Sequence, residues 1–294
     1  MREVNYFDIL PRENVLHNKN LINYNTMHLN AVAKTFLTVN NDKQLIEACK
    51  FLQSTQRKFI MLGKGSNVVF KTKVIRSVVI HLSGDDIRFY KKRSGFMVSV
   101  FAGVLLSSLL SRCTSLGASG MEWAVGIPGS VGGAVRMNAG ANGGCIADVV
   151  KSVTIYENFK VKKVNKENCG FEYRKSGFGD AVIVRVTLFL PFGDKAKIKS
   201  QMEGFLAVRR AKSAKGFSAG SVFKNSDKPA GWYIEQAGLK GFSCGDAVVS
   251  DAHANVIINK GKASGKNVLR LMRKVKRKVY KKFGVSLEPE VKII

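Results

Sequence analysis

The chain is expected to fold as an α+β protein of about two domains. Strand-like apolar runs alternate with helical periodicities, the 294 residues are 45% apolar and can bury more than one core, and glycine-rich loops separate the periodic segments. The first helix is read over residues 42–57, with Leu45, Ile46, Ala48 and Leu52 on one face. Strands are expected at 58–62, 74–81 and 96–101, separated by charged turns. A helix from Leu105 stops at Gly117, the residue type that ends a helix in the left-handed conformation. Apolar runs at 149–156 and 181–190 read as strands on either side of a polar stretch at 160–170. Pro191 and Gly193 punctuate the chain, and a helix over 195–210 opens a new unit. A short helix at 232–238, a strand at 255–259 and a basic helix at 266–282 complete the order.

Composition removes several classes. No stretch reaches the ~18 apolar residues of a membrane span, so no membrane insertion is expected. Glu3 and Asp8, with no apolar core behind them, argue against a secretory signal. The five cysteines are widely spaced without a Cys-x-x-Cys pair, which argues against a disulfide framework and a zinc site; reduced thiols and a cytoplasmic location follow. The four histidines are scattered, and no metal site is expected. The 48 Lys and Arg against 21 Asp and Glu give a net charge of +27, suited to nucleic acid, an anionic membrane surface or anionic small molecules. The densest run, 266–282, places Val268, Leu271, Met272, Val275 and Val279 at helical spacing among basic residues. It reads as a surface helix with a solvated face. Tyr280 is its one aromatic residue, so a stacking platform for single strands is not supported and no nucleic-acid partner is expected.

Two glycine-rich segments carry the chemistry. Gly63-Lys64-Gly65-Ser66-Asn67 follows the apolar run Phe59-Ile60-Met61-Leu62, a strand entering an anion-binding turn. The second block comprises Gly126, Ile127, Pro128, Gly129, Ser130, Val131, Gly132, Gly133, Ala134, Val135, Arg136, Met137, Asn138, Ala139, Gly140 and Ala141, and is neither linker nor strand. Neither segment has the spacing of the dinucleotide fingerprint or the P-loop, and either alone reads more readily as a tight turn. Together they favour a large cofactor with a pyrophosphate, cradled by backbone N–H groups that have no other evident partner.

The order of motifs resembles the UDP-N-acetylenolpyruvoylglucosamine reductase (MurB) family. The matching segments are residues 62–67, 126–141, Phe171-Glu172-Tyr173-Arg174-Lys175-Ser176, Gly220-Ser221-Val222-Phe223-Lys224-Asn225, 235–241, His253-Ala254-Asn255 and Leu287-Glu288-Pro289-Glu290-Val291. The short length is similar to the compact type II subtype, which lacks the substrate-covering tyrosine loop. The resemblance implies a two-subdomain FAD-binding domain of the vanillyl-alcohol-oxidase (PCMH) type at 31–194, behind an N-terminal segment at 1–30. A smaller α+β substrate-binding domain at 195–294, whose tail carries Glu290, would follow.

The activity implied is FAD-dependent, NADPH-driven reduction of UDP-N-acetylglucosamine enolpyruvate to UDP-N-acetylmuramate in peptidoglycan precursor synthesis, by a monomer. Hydride would pass from NADPH to non-covalent FAD and on to substrate C3. Arg174 would hold the developing enolate with its planar fork. Ser221 would protonate C2, with Glu290 beside the enolate. Lys64, Ser66, Asn67, Asn138 and Ala139, with the glycines, Ile127, Pro128 and Ser130 of both loops, would hold FAD; Tyr173, Lys224 and Asn225 would hold substrate. The chain departs from the family pattern at Asn30 and Ala31, at Lys212 and Ser213, and at Ser226. The competing readings are a nucleic-acid binder on a relic flavin fold and an oxygen-using FAD oxidase.

Overall fold

The computed structural model describes Tyr6, residues 9–212 and residues 214–294. The N-terminal signal reading and Ser213 thus lie outside the described residues. The chain divides into two compact units. The first holds the chain up to His17, Thr35–Lys64 and Ser77–Arg209; the second holds Asn18–Lys34, Gly65–Arg76 and Arg210–Ile294.

Strands β1 (Val15–Asn20) and β2 (Val32–Val39) run across the boundary between the units. Within the first unit, helix α1 (Asp42–Ser54) leads to β3 (Phe59–Leu62). The α1 N-cap Asn41 accepts the Gln44 N–H, and the helix buries Leu45, Ala48, Cys49 and Leu52. It stops at Ser54, three residues before the expected end. The expected strand at 74–81 is two strands: β5 (Val74–Ile75) in the second unit and β6 (Val78–Leu82) in the first. Phe36–Val39 and β3 pair with β6 in parallel, with Leu37 opposite Ile80 and Ile60 opposite Val79. Both faces of β6 are covered, which is why it reads as an unbroken apolar run.

The second sheet of this unit is antiparallel. Its order is β12 (Lys160–Asn165), β11 (Val150–Glu157), β13 (Val182–Pro191), β8 (Gly95–Phe101) and β7 (Ile87–Lys92). The polar stretch expected as a connection therefore contains an edge strand, as does one of the charged turns. Neither edge buries a continuous apolar face, and the β12 lysines guard an open edge. Arg185 of β13 donates to Asp42 of α1 at 2.6 Å and to Asp86 at 2.5 Å, fastening helix to sheet. Helix α2 (Leu106–Leu116) ends at Gly117, whose φ is 71°. Burial pushes the Cys49 and Cys113 thiols up to about 12, which makes them core residues and not nucleophiles.

The glycine block differs from expectation because it folds locally. Helix α3 (Val131–Arg136) begins inside it, with Ser130 as N-cap. A Cβ at Gly132 would sit 2.8 Å from the Ala102 Cβ, so glycine there permits tight packing despite its low helix propensity. Beyond it lie the short pair β9 (Gly140–Ala141) and β10 (Gly144–Cys145), the turn of helix α4 (Ile146–Val149), and, after β13, helix α5 (Lys195–Lys212).

In the second unit, β4 (Val68–Val69) precedes β5, and Val32 and Ala33 pair with β5 in parallel. An antiparallel sheet has the order β14 (Phe217–Ser221), β17 (Val256–Asn259), β16 (Ala247–Val249) and β15 (Ser243–Cys244). Helix α6 (Ala230–Gln236) and helix α7 (Gly265–Phe283) pack together, and α7 lies against β15 and β16. The α7 stripe Val268, Leu271, Met272, Val275 and Val279 is buried as expected. The C-terminal strand β18 (Lys292–Ile293) runs parallel to β4. These non-local pairings give residues 18–34 and 65–76 to the second unit, while α5 stays with the first. The compact units therefore interleave along the chain, where the expected domains 31–194 and 195–294 are continuous. Among the described residues, no helix is long and apolar enough to cross a membrane.

A Cβ at Gly265 would lie 1.6 Å from the Phe70 carbonyl oxygen. Gly265→Ala is therefore expected to cost about 3 kcal/mol, the upper end for overpacking, because backbone cannot yield as a side chain does. Urea unfolding checks this: a midpoint equal to that of the parent would contradict it.

Candidate functional site

In the first unit the glycine block is stitched to its surroundings on one side and open on the other. The N–H groups of Val131 and Gly132 donate to Val104 and Ala102 carbonyls, and Gly133 donates to Ser130 Oγ. The expectation that the whole block presents unpartnered amides is corrected: most of α3 is occupied by its own fold. No hydrogen bond within the described residues engages the N–H of Lys64, Gly129 or Ser130. A Cβ at Gly63 would stand 2.3 Å from Ser130 Oγ, so the two glycine-rich loops meet there at backbone range. Gly126 takes φ 73°, Ile127 is half-buried, and Pro128 is exposed.

Asn138 leaves α3 in the left-handed region, φ 38°. Its Oδ1 accepts the Ala147 N–H at 3.3 Å, and its Nδ2 donates to the Glu172 carbonyl at 2.9 Å. Both ends of the amide are thus held by the protein. Residues 172–175 form a tight turn in which Glu172 and Lys175 exchange backbone hydrogen bonds. Tyr173 and Arg174 form its tip, with Arg174 at φ 56°. The Arg174 guanidinium lies 5.3 Å from the exposed Tyr173 ring centroid, and a Cβ at Gly140 would be 3.4 Å from Arg174 Nη1. Ala139 lies half-buried between Asn138 and Gly140, its N–H bonded to the Ala134 carbonyl.

In the second unit, Ser221 ends β14 on a β-bulge: Ser218 faces Ile258 and Ser221 faces Val256, so two residues oppose one. Gly220, at φ 71°, supplies the bulge with a conformation other side chains resist. The bulge re-aims Ser221 into a cavity of about 270 Å³ that also touches Asn225, Trp232, Glu235, His253 and Asn255. The Ser221 side chain makes no hydrogen bond within the described residues. Buried Asn255 holds the next residues: its Oδ1 accepts the Phe223 N–H at 3.0 Å and its Nδ2 donates to the Phe223 carbonyl at 2.8 Å. The sequence drew attention to the motif containing Asn255, but a backbone clamp has no local pattern to announce it.

Residues 222–224 pair with 288–290. The Glu290 N–H donates to the Val222 carbonyl at 2.8 Å, and the Lys224 N–H to the Glu288 carbonyl at 2.8 Å. Glu290 thus lies on the extended segment bridged to the residues after Ser221, half-buried, whereas exposed Glu288 pairs with the Lys224 ammonium at 2.6 Å. Spacing alone does not separate these two glutamates; their surroundings do. Asn225 is exposed, and its Oδ1 accepts the Ala230 N–H at the start of α6. The Asn67 side chain donates to the Glu290 carbonyl at 3.3 Å, and the Lys292 N–H donates to the Asn67 carbonyl. Glycine at 65 is obligatory, since a Cβ would be 2.2 Å from the Tyr24 carbonyl oxygen. The N–H groups of Ser66 and Asn67 make no hydrogen bond within the described residues.

Residues 33–158 match the FAD binding domain family, and residues 212–294 match the C-terminal domain of UDP-N-acetylenolpyruvoylglucosamine reductase. The UDP-N-acetylenolpyruvoylglucosamine reductase of Syntrophus aciditrophicus is 36% identical over 95% of this chain and 92% of its own. That of Carboxydothermus hydrogenoformans is 38% identical over 95% and 94%. The crystal structure of UDP-N-acetylenolpyruvylglucosamine reductase (MurB) from Thermus caldophilus covers 95% of this chain and 98% of its own, with a TM-score of 0.80 and 33% identity. With identity at this level running through both units, the chain belongs to the UDP-N-acetylenolpyruvoylglucosamine reductase family.

Proposed function

We propose that this protein is an FAD-dependent oxidoreductase that uses NADPH to reduce UDP-N-acetylglucosamine enolpyruvate to UDP-N-acetylmuramate. The carrying observation is Ser221, turned by its bulge into a cavity and followed by residues bridged to the segment of Glu290, in a chain of this family. FAD fits the residues present. In the first unit Lys64, Gly129 and Ser130 offer unbonded N–H groups where Gly63 allows close approach of the two glycine-rich loops. Bound FAD supplies the two-electron relay between NADPH and the enol ether.

The chain's own groups supply the rest. Reduction at C3 leaves negative charge at C2, conjugated with a carboxylate, and the Arg174 fork meets such a group with two parallel donors. Ser221 delivers the proton to C2. A hydroxyl is a poor acid in water, so the transfer needs charged neighbours and a favourable geometry around it. Glu290 sits beside this proton path, and Tyr173, Lys224 and Asn225 hold the nucleotide sugar.

The test is uptake of FAD by the purified protein, followed by NADPH oxidation that produces UDP-N-acetylmuramate by mass spectrometry. Colourless protein that takes up no FAD overturns the reading; a protein that binds RNA tightly instead supports the nucleic-acid alternative. Gly133 is the informative cradle position, because it is exposed and a Cβ there meets only Ser130 Oγ at 3.3 Å. Gly133→Val should lower FAD affinity while the protein stays folded, read by flavin titration and circular dichroism. Gly132→Val should damage the fold itself.

A further inference from the structure

We propose that Asn138 is a positioning residue for Arg174, fastening the turn that carries this arginine to the glycine block. The reading rests on the function above for its catalytic consequence only. Arg174 occupies left-handed backbone at φ 56°, a conformation that costs a non-glycine residue about 1–3 kcal/mol and persists only where its surroundings enforce it. The turn has little of its own to enforce it. It is closed by the Glu172 and Lys175 backbone bonds of 3.0 and 3.2 Å and by an exposed Lys175–Glu172 ion pair, which contributes little.

The Asn138 amide supplies what is missing. Its Nδ2 donates to the same Glu172 carbonyl that accepts the Lys175 N–H, filling the second lone pair of the oxygen that closes the turn. Its Oδ1 is anchored on the Ala147 N–H at 3.3 Å, so the amide cannot swing away without losing a second bond. Two further ties run in parallel. Buried Ser176 donates to the Arg136 carbonyl at 3.0 Å, and the Arg136 guanidinium donates to the Gly179 carbonyl at 2.6 Å and to the Ala181 carbonyl. All three lashings start at residues 136–138, where α3 ends, and finish on residues 172–181. Of these three ties, the Asn138 bond is the one that ends on the turn itself. Order in the glycine block is thereby transmitted to the arginine, and the role differs from the cofactor contact expected of Asn138.

Two variants test this. Asn138→Gly tolerates the positive φ and removes the amide; Asn138→Asp keeps the acceptor for Ala147 and loses the donor to Glu172. Hydrogen exchange on the cofactor-free protein reads the clamp without any reaction. The Lys175 amide should exchange at least about tenfold faster in both variants, with the β11 and β13 amides unchanged. On the flavin-bound fraction of each variant, reoxidation by the enolpyruvyl substrate should slow about tenfold, and this loss should vanish in an Arg174→Ala background. Parent-like exchange at Lys175 overturns the proposal, as does FAD loss that accounts for the slower reaction, or losses that simply add to those of Arg174→Ala. A parent protein that never reoxidises with this substrate refutes the proposed function, while the exchange result still decides the clamp.

Discussion

Ser221→Ala should leave reduction of bound flavin by NADPH close to the parent rate and slow its reoxidation by the enolpyruvyl substrate by about 10² to 10⁴, the usual loss on removing one positioned proton donor. The separation arises because the hydroxyl acts only on substrate carbon. The substitution is conservative for the fold: the side chain is half-buried at a cavity wall and its hydroxyl supports no hydrogen bond within the described residues, so deleting one oxygen leaves the bulge, the Asn255 clamp and the Glu290 segment in place. Ser221→Cys should recover part of the lost rate, since a thiol also donates a proton. Stopped-flow flavin absorbance separates the two halves. Parent-rate reoxidation of Ser221→Ala would remove this serine from the chemistry.

Arg174→Lys should cost about 10² to 10³ in the same second half-reaction, the range for losing one preorganised charge-stabilising donor. Lysine preserves the charge and not the fork, and a flexible ammonium cannot reproduce two parallel donors to a carboxylate. The Asn138 and Ser176 ties act on backbone and neighbouring side chains, so they survive the substitution and the defect should be local. Hydrogen exchange of the turn at parent rates, combined with slowed reoxidation, is the expected pair of results. Parent-like reoxidation would show that charge alone suffices.

Elements with one buried face were legible in the sequence. Helix α7 buries the stripe that its spacing predicts, α1 buries Leu45, Ala48 and Leu52 of its expected face with Cys49 while Ile46 is half-buried, and Gly117 stops α2 in the left-handed conformation. Strands β7 and β12 were hidden because both are sheet edges whose residues alternate with solvent or are simply polar. Helix α3 was hidden because its Gly132 serves close packing on Ala102, which outweighs the low helix propensity of glycine. The interleaving of the compact units was not legible because Val32–Ala33 with β5, and β4 with β18, are parallel pairings between distant segments, and no local pattern encodes them. Arg174, Ser221 and Glu290 were identified by motif order and not by chemistry. Nothing in their spacing foretells a left-handed arginine, a serine on a bulge, or a glutamate on a segment bonded to residue 222. The half-buried amide of Asn138 and the buried amide of Asn255 were legible only as motif members, since their partners are backbone atoms far along the chain.

The most direct test mixes NADPH-reduced, FAD-loaded protein with UDP-N-acetylglucosamine enolpyruvate under strict exclusion of oxygen. The expected result is return of the yellow oxidised-flavin absorption with one equivalent of UDP-N-acetylmuramate formed per flavin. Flavin that stays reduced with this substrate and recovers its colour only when oxygen is admitted would contradict the reductase reading.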